Sequence, residues 1–179
     1  MDHQKRSKGL PFVLSALIIV FDQISKALVV RFIAQGSIKF SFFNDFLWLC
    51  HVRNTAIGFS LGERFPDPVK KGLFIVLPLA IMALIAKAMY RSQHLNRLQT
   101  WLLGGILGGG IGNVIDRIFR AEGVVDFLSV KVYGLFGLQR WPTFNFADAT
   151  IVVTGIILFV NLLFFDTKAT RREEGGQKS

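Results

Sequence analysis

The chain has 179 residues, of which 51% are hydrophobic and only 18% charged. That balance excludes a disordered chain and leaves too few polar side chains to cover an ordinary soluble domain. The formal net charge is +9, but the bases sit in short clusters beside apolar runs. A nucleic-acid surface would gather them in a stripe or patch, so no nucleic-acid partner is expected. The single Cys50 excludes an internal disulfide framework and a zinc ribbon, and His3, His51 and His94 are far apart in sequence. Neither a metal nor another cofactor is expected.

In chain order, the uncharged apolar stretches are 10–21, 72–86, 100–115 and 149–165. A helix crosses a bilayer in about 20 residues. Admitting polar flanks gives spans near 10–32, 70–90, 98–119 and 146–166 within a single integral-membrane domain, residues 1–166. The first stretch follows Lys5, Arg6 and Lys8 and so also has the form of a secretory signal peptide. No small-x-small cleavage site follows it, and the pattern continues through Asp22-Gln-Ile-Ser-Lys26, so a retained helix is expected.

Orientation follows the bases in short flanks. Lys5, Arg6 and Lys8 precede the first span, Lys87, Arg91 and Arg97 flank the second-to-third connection, and Lys168, Arg171, Arg172 and Lys178 follow the fourth. Both termini are therefore expected in the cytoplasm, although Lys70 and Lys71 at the outer end of the second span argue mildly against this. The outer connections are then 33–69 and 120–145. Residues 37–52 are rich in Phe, Trp and β-branched side chains with partial alternation, which favours short strands. Their aromatic rings also suit the headgroup level. Pro66-Asp-Pro68 is expected to break the chain before the second span. The connection 121–145, with Gly134, Gly137 and Pro142, reads as an irregular or part-stranded flap. Residues 167–179 read as a disordered cytoplasmic tail.

Ionisable groups inside a span are costly and usually functional. Asp22 and Lys26 stand at i, i+4 on one helical face, either as a structural ion pair or as participants in chemistry. The third span carries Gly104, Gly105, Gly108, Gly109, Gly110 and Gly112, a density that lets neighbouring backbones approach closely. Asn113 and Arg117 share a face there, with Asp116 one residue off it. That face is read equally as helix packing or as a polar wall facing inward. Asp126 follows this span and Asp148 opens the next, so both fall at the outer side. Singly, each reads at least as readily in structural terms as in functional ones, Asp126 as a solvated loop charge and Asp148 as a helix N-terminal acid. Together, two acids in apolar surroundings at one membrane face resemble a dyad that shares a proton.

Five blocks in order, Asp22-Gln-Ile-Ser-Lys26, Arg53-Asn54-Thr55, the glycine run through Asn113, Asp116 and Arg117, Val125-Asp126-Phe127, and Phe144-Asn145-Phe-Ala-Asp148, resemble the signature of signal peptidase II. The resemblance implies an all-α membrane protein of four transmembrane helices with a small extracytoplasmic β-rich cradle. It implies an aspartic endopeptidase of the bacterial cytoplasmic (inner) membrane, with its active site at the extracytoplasmic face. Its substrate would be a lipid-modified prolipoprotein, cut just before the diacylglyceryl cysteine. Asp126 and Asp148 would be the catalytic pair. Asn54, Asn113, Arg117 and Asn145 would be partners of substrate or dyad, and Asp22 with Lys26 would support the site. Membrane phospholipid is the surrounding partner, and a monomer is expected. The family usually has Gly-Ala-Ala-Phe-Ser after Arg-Asn-Thr, whereas this chain has Ala56-Ile57-Gly58-Phe59-Ser60.

Other chemistries find less support. Ser25, Ser60 and Ser129 lack a paired base, since Lys26 adjoins Ser25 and helix neighbours point apart. No HExxH motif is present. A transporter using Asp22, Lys26, Asp116 and Arg117 as a relay would be expected to show internal repeats, which are absent. A structural subunit would tolerate loss of Asp126.

Overall fold

A computed structural model describes residues 9–54, 66–92 and 94–166. Expectations placed on the basic N-terminus, on the loop after Asn54 with Ser60, and on the tail 167–179 lie outside the described residues.

Helix α1 runs Leu10–Phe32, with proline in its first turn, where a missing N–H costs nothing. It gives way to Ile33 in extended conformation and to Gly36, whose positive φ makes the turn into the sheet. Strands β1 (Ile38–Phe42) and β2 (Leu47–Asn54) form a hairpin. The pair Pro66 and Pro68 does not simply break the chain: Pro66 caps, and Pro68 sits inside, a short helix α2 (Asp67–Lys71). A π-helical turn, Gly72–Val76, joins it to α3 (Leu77–Arg91). Helix α4 is Arg97–Phe119, opened by a reciprocal cap between Asn96 and Gln99. Strand β3 (Val124–Val130) supplies the stranded part of the expected irregular or part-stranded flap. Helix α5 (Phe146–Asn161) then ends in a π-helical turn, Leu162–Asp166.

Among the described residues, four helices are long and apolar enough to cross a membrane: Leu10–Phe32, Gly72–Arg91, Arg97–Phe119 and Phe146–Phe164. Three strands form one antiparallel sheet in the order β1-β2-β3. The sheet draws β1 and β2 from the first long connection and β3 from the last, so it ties two otherwise separate crossings together.

Helix α4 is the most buried span, and its glycines explain how. A Cβ on Gly104 would lie 2.7 Å from the Pro11 carbonyl oxygen, and one on Gly108 would lie 2.8 Å from that of Ser15, both on α1. Gly109 meets the Ala147 carbonyl at 2.6 Å on α5, and Gly110 meets Met82 on α3. Three helices thus approach α4 on three sides, and Ser15 Oγ uses the proximity to donate to the Gly104 carbonyl at 2.7 Å. Such contacts replace the hydrophobic drive that lipid removes.

The sheet seats on the end of α1 through Val29, Ile33, Val125 and Phe127. Because side chains alternate along a strand, Asp126 between the last two turns to the opposite face. Strand β2 carries a bulge between Leu49, opposite Leu128, and Val52, opposite Asp126. The extra residue brings Asn54, rather than Arg53, opposite Val124 and onto the face of Asp126.

Gly108→Val should lower the unfolding temperature in detergent, by the equivalent of about 1–3 kcal/mol for overpacking. Gly155→Ala, where a Cβ has nothing within 4 Å, should not. Equal effects of the two would remove the close-approach account.

Candidate active site

The polar residues converge where α1, α4, α5 and the sheet meet. Lys26 is completely buried, and its ammonium group contacts three acceptors: Asp22 Oδ2 at 2.8 Å, Asp116 Oδ2 at 3.0 Å and Asn113 Oδ1 at 3.0 Å. Asp22 and Asp116 are equally inaccessible. Asp22 Oδ1 accepts from the Ala147 N–H at 3.1 Å, pinning the start of α5. Asp116 accepts from Arg120 Nε at 3.0 Å and from the Val125 N–H at 3.2 Å, pinning the start of β3. Gln23 Nε2 donates to Asp22, to Asp116 and to the Gly112 carbonyl. Two carboxylates are thus balanced by Lys26 and Arg120, as burial of charge demands.

Asp116 corrects the reading of α4 as a face of Asn113 and Arg117 with Asp116 set aside. At i, i+3 Asp116 shares the inward side with Asn113, and α1 presents Lys26 to both. An acid within a span was the signal available in the sequence. Gln23 gave no signal, because its three contacts exist only after α1 and α4 pack.

The amide orientations follow from groups that can only donate. Lys26 must face an oxygen, so Asn113 presents Oδ1 to it and is left to donate from Nδ2 to Asp148 Oδ1 at 2.7 Å. The Asp148 N–H donates to Asn145 Oδ1 at 2.9 Å, while the Asn145 N–H donates to Asp148 Oδ2 at 3.1 Å. This reciprocal cap leaves Asn145 Nδ2 to donate to Asp126 Oδ1 at 2.8 Å and to Asn113 Oδ1 at 3.1 Å. Asn54 Nδ2 completes the set by donating to Asp126 Oδ2 at 3.0 Å. Asn145 therefore bonds to both candidate carboxylates, and one continuous network joins Lys26 to Asn54.

The carboxylates differ in environment. Asp126 is 1% exposed on β3, whereas Asp148 is half-buried in the first turn of α5. Burial pushes the Asp126 carboxyl up to about 7, and the charge of Asp148 adds to the rise. Hydrogen bonds from Asn54 and Asn145 act against it. Arg117 is half-buried and within electrostatic reach of Asp148, Asp126 and Asp116. It makes no hydrogen bond or ion pair with them among the described residues. Cys50 is buried, and desolvation pushes its thiol up, away from nucleophilic thiolate. Among the described residues, no three His, Cys, Asp or Glu side chains gather where they could hold a metal ion.

Four apolar spans around a buried ionic cluster, with two carboxylates at the end that carries the sheet, define a multi-pass membrane protein with the outline of a membrane enzyme. The family model described as signal peptidase (SPase) II matches residues 14–164. The lipoprotein signal peptidase of Treponema denticola is 43% identical over 172 residues, 96% of this chain and 99% of the relative. That of Borreliella afzelii is 48% identical over 154 residues, 86% of this chain and 89% of the relative. Two bacterial membrane enzymes solved by the in meso method share the fold. One has a TM-score of 0.76 at 23% identity, covering 93% of this chain and 94% of its own. The other scores 0.75 at 24% identity, covering 93% and 99%. The chain belongs to the signal peptidase II family, and membership makes it a protease.

Two outcomes are expected. Lys26→Met should destabilise the protein by about 3–5 kcal/mol, since it leaves buried carboxylates without their cation. Combination with Asp116→Asn should recover part of the loss in detergent unfolding. Separately, the folded chain keeps a proton on Asp126 between about pH 4 and 7 that the unfolded chain, with an ordinary carboxylate, has released. Stability therefore falls as pH rises through that window. From pH 5 to pH 8 the wild type should lose on the order of 2 kcal/mol more than Asp126→Asn. Parallel pH dependences would overturn the assignment of that proton.

Proposed function

We propose that this chain is an intramembrane aspartic endopeptidase that removes the signal peptide from diacylglyceryl-modified bacterial prolipoproteins, cutting just before the lipidated cysteine. The observation that carries the reading is the bonding of Asn145 to both Asp126 and Asp148 at the membrane end that bears the sheet. Family membership and the names of the relatives support the substrate class.

Amide hydrolysis needs a base for water and an acid for the departing nitrogen. Asp148, half-buried and accepting from Asn113 and the Asn145 N–H, is the ionised member. Asp126, deeply buried with its carboxyl raised to about 7, holds the proton. Asp148 takes a proton from water as the oxygen attacks the scissile carbonyl, and Asp126 donates its proton to the developing oxyanion. The resulting gem-diol collapses when Asp148 returns its proton to the amide nitrogen and the C–N bond breaks. One gem-diol hydroxyl returns a proton to Asp126 as the new carboxyl group forms. Arg117 faces the polar ester or backbone oxygens of the substrate, Asn54 and Asn113 hold the dyad, and Asp22 with Lys26 supports it.

The reading places a single peptidase domain, residues 1–166, as a monomer in the phospholipid of the bacterial inner membrane. Both termini are cytoplasmic and the dyad is extracytoplasmic. The acyl chains of the substrate, each buried methylene contributing about 0.8 kcal/mol, hold the cysteine at the interface where the dyad waits.

Purified protein in detergent should cleave a precursor carrying diacylglycerol and spare its unlipidated twin. Asp126→Asn and Asp148→Asn should each abolish turnover, and the double variant should be little worse than either. Turnover by either single variant would show the dyad to be wrongly assigned. Equal cleavage of the two precursors would remove the lipid requirement, and cleavage of neither would remove the peptidase reading.

A further inference from the structure

An exposed aromatic stripe runs outward from the end of α1, and no other element covers it among the described residues. Every residue of β1 is exposed, and beyond a register shift at Ile38 the rings of Phe40 and Phe42 share one face of the strand. The stripe begins at Phe32, the last residue of the span, which is 57% exposed. Lys39 donates to the Phe32 carbonyl at 2.8 Å and lies over both the Phe32 and Phe40 rings. Phe40 stacks at 5.9 Å from Phe42, and Phe42 at 6.4 Å from Phe43. An apolar edge strand open to water is a liability that soluble proteins avoid. Here the stripe is continuous with helix surface that faces lipid.

At the far end of the sheet, two loops are locked together. Phe43, Asn44 and Asp45 are successive residues with positive φ, a backbone that non-glycine residues rarely adopt. Asp45 holds it in place: its carboxylate accepts from Ser41 and from the Trp48 indole, and pairs with Lys131 at 3.3 Å and Arg140 at 3.6 Å. Arg140 lies 3.5 Å over the Trp48 ring and donates to the carbonyls of Asp45, Phe46 and Ser129. Between Lys131 and Arg140 the chain makes an arm whose Tyr133 and Phe136 also have positive φ. The two turns thrust out Phe43, 79% exposed, and Phe136, 82% exposed, while Lys131 lies over the Tyr133 ring. Exposed rings with lysine and arginine stacked beside them suit the headgroup level of a bilayer, where both the apolar body and the charged tip are satisfied.

We propose that the β1–β2 turn and the 131–140 arm, clasped through Asp45, form one foot that seats Phe43 and Phe136 in the outer leaflet of the bilayer that holds the spans. The foot holds the sheet, and with it Asn54 and Asp126, at a fixed depth relative to the bilayer, independently of whether the peptidase chemistry is as assigned.

The test uses full-length protein in phosphatidylethanolamine–phosphatidylglycerol proteoliposomes without substrate. Phe43→Cys and Phe136→Cys, each in a Cys50→Ala background, carry a nitroxide, and unfolding temperature confirms the fold. Collision with oxygen should exceed collision with a water-soluble nickel complex at both positions. Adding Asp45→Ala should shift the label at position 136 toward water. Should a labelled variant fail to fold, Phe136→Trp quenched by brominated lipid supplies the same comparison against aqueous iodide. Preferential collision with nickel at either position would overturn the foot. So would burial that arises only when a lipidated precursor is added, or only at protein densities that pair two copies.

Discussion

A lysine ammonium inside a bundle of apolar helices has no water to turn to, and the surrounding structure is arranged around its three acceptors. Lys26 draws Asp22 from its own helix and Asp116 and Asn113 from α4. Each carboxylate also accepts from a backbone N–H: Asp22 through its other oxygen from the first turn of α5, Asp116 through the Lys26-bound Oδ2 from the start of β3. A charge cluster that must be fully satisfied thereby fixes where two further elements begin. The glycines of α4 serve the same end, for a Cβ on Gly112 would lie 2.7 Å from Asp22 Oδ2.

From that cluster, hydrogen-bond direction passes outward without ambiguity. An ammonium and a backbone N–H only donate, so the carboxamides of Asn113 and Asn145 have one orientation each, and their NH₂ groups are aimed at Asp148 and Asp126. The carboxylates receive comparable donors and differ chiefly in burial. That difference supports the division of labour proposed for them, because desolvation favours the protonated form of the deeper acid. A site held this way does not depend on side chains finding their geometry when substrate arrives.

The sheet contributes position rather than bulk. Its inner residues Val125 and Phe127 pack on Val29 and Ile33, which forces Asp126 to the other face, and the bulge in β2 turns Asn54 toward it. A strand delivers one acid and a helix N-terminus delivers the other. Both flank the connection that follows α4, and the sheet and α4 together hold them at a common depth.

Spans, strand-rich connections and the identity of the polar residues were legible in the sequence. Length and hydropathy indicate which segments can cross a bilayer, and a charge within such a segment announces itself. Five short blocks in order were enough to indicate the family. What the sequence left open was pairing. Asp22 and Lys26 are one turn apart and could be matched along one helix, but Asp116 meets Lys26 only when the glycine face of α4 brings two backbones close. Asp126 taken singly read as a solvated loop charge and only with Asp148 as half of a dyad, because strand alternation is short and the bulge that faces it with Asn54 leaves no mark in residue types. The orientation of Asn113 and Asn145 likewise depends on donors supplied by other elements. Local composition determined which groups are buried in the membrane; only tertiary packing determined which of them neutralise, orient and protonate one another, because those interactions join residues tens of positions apart.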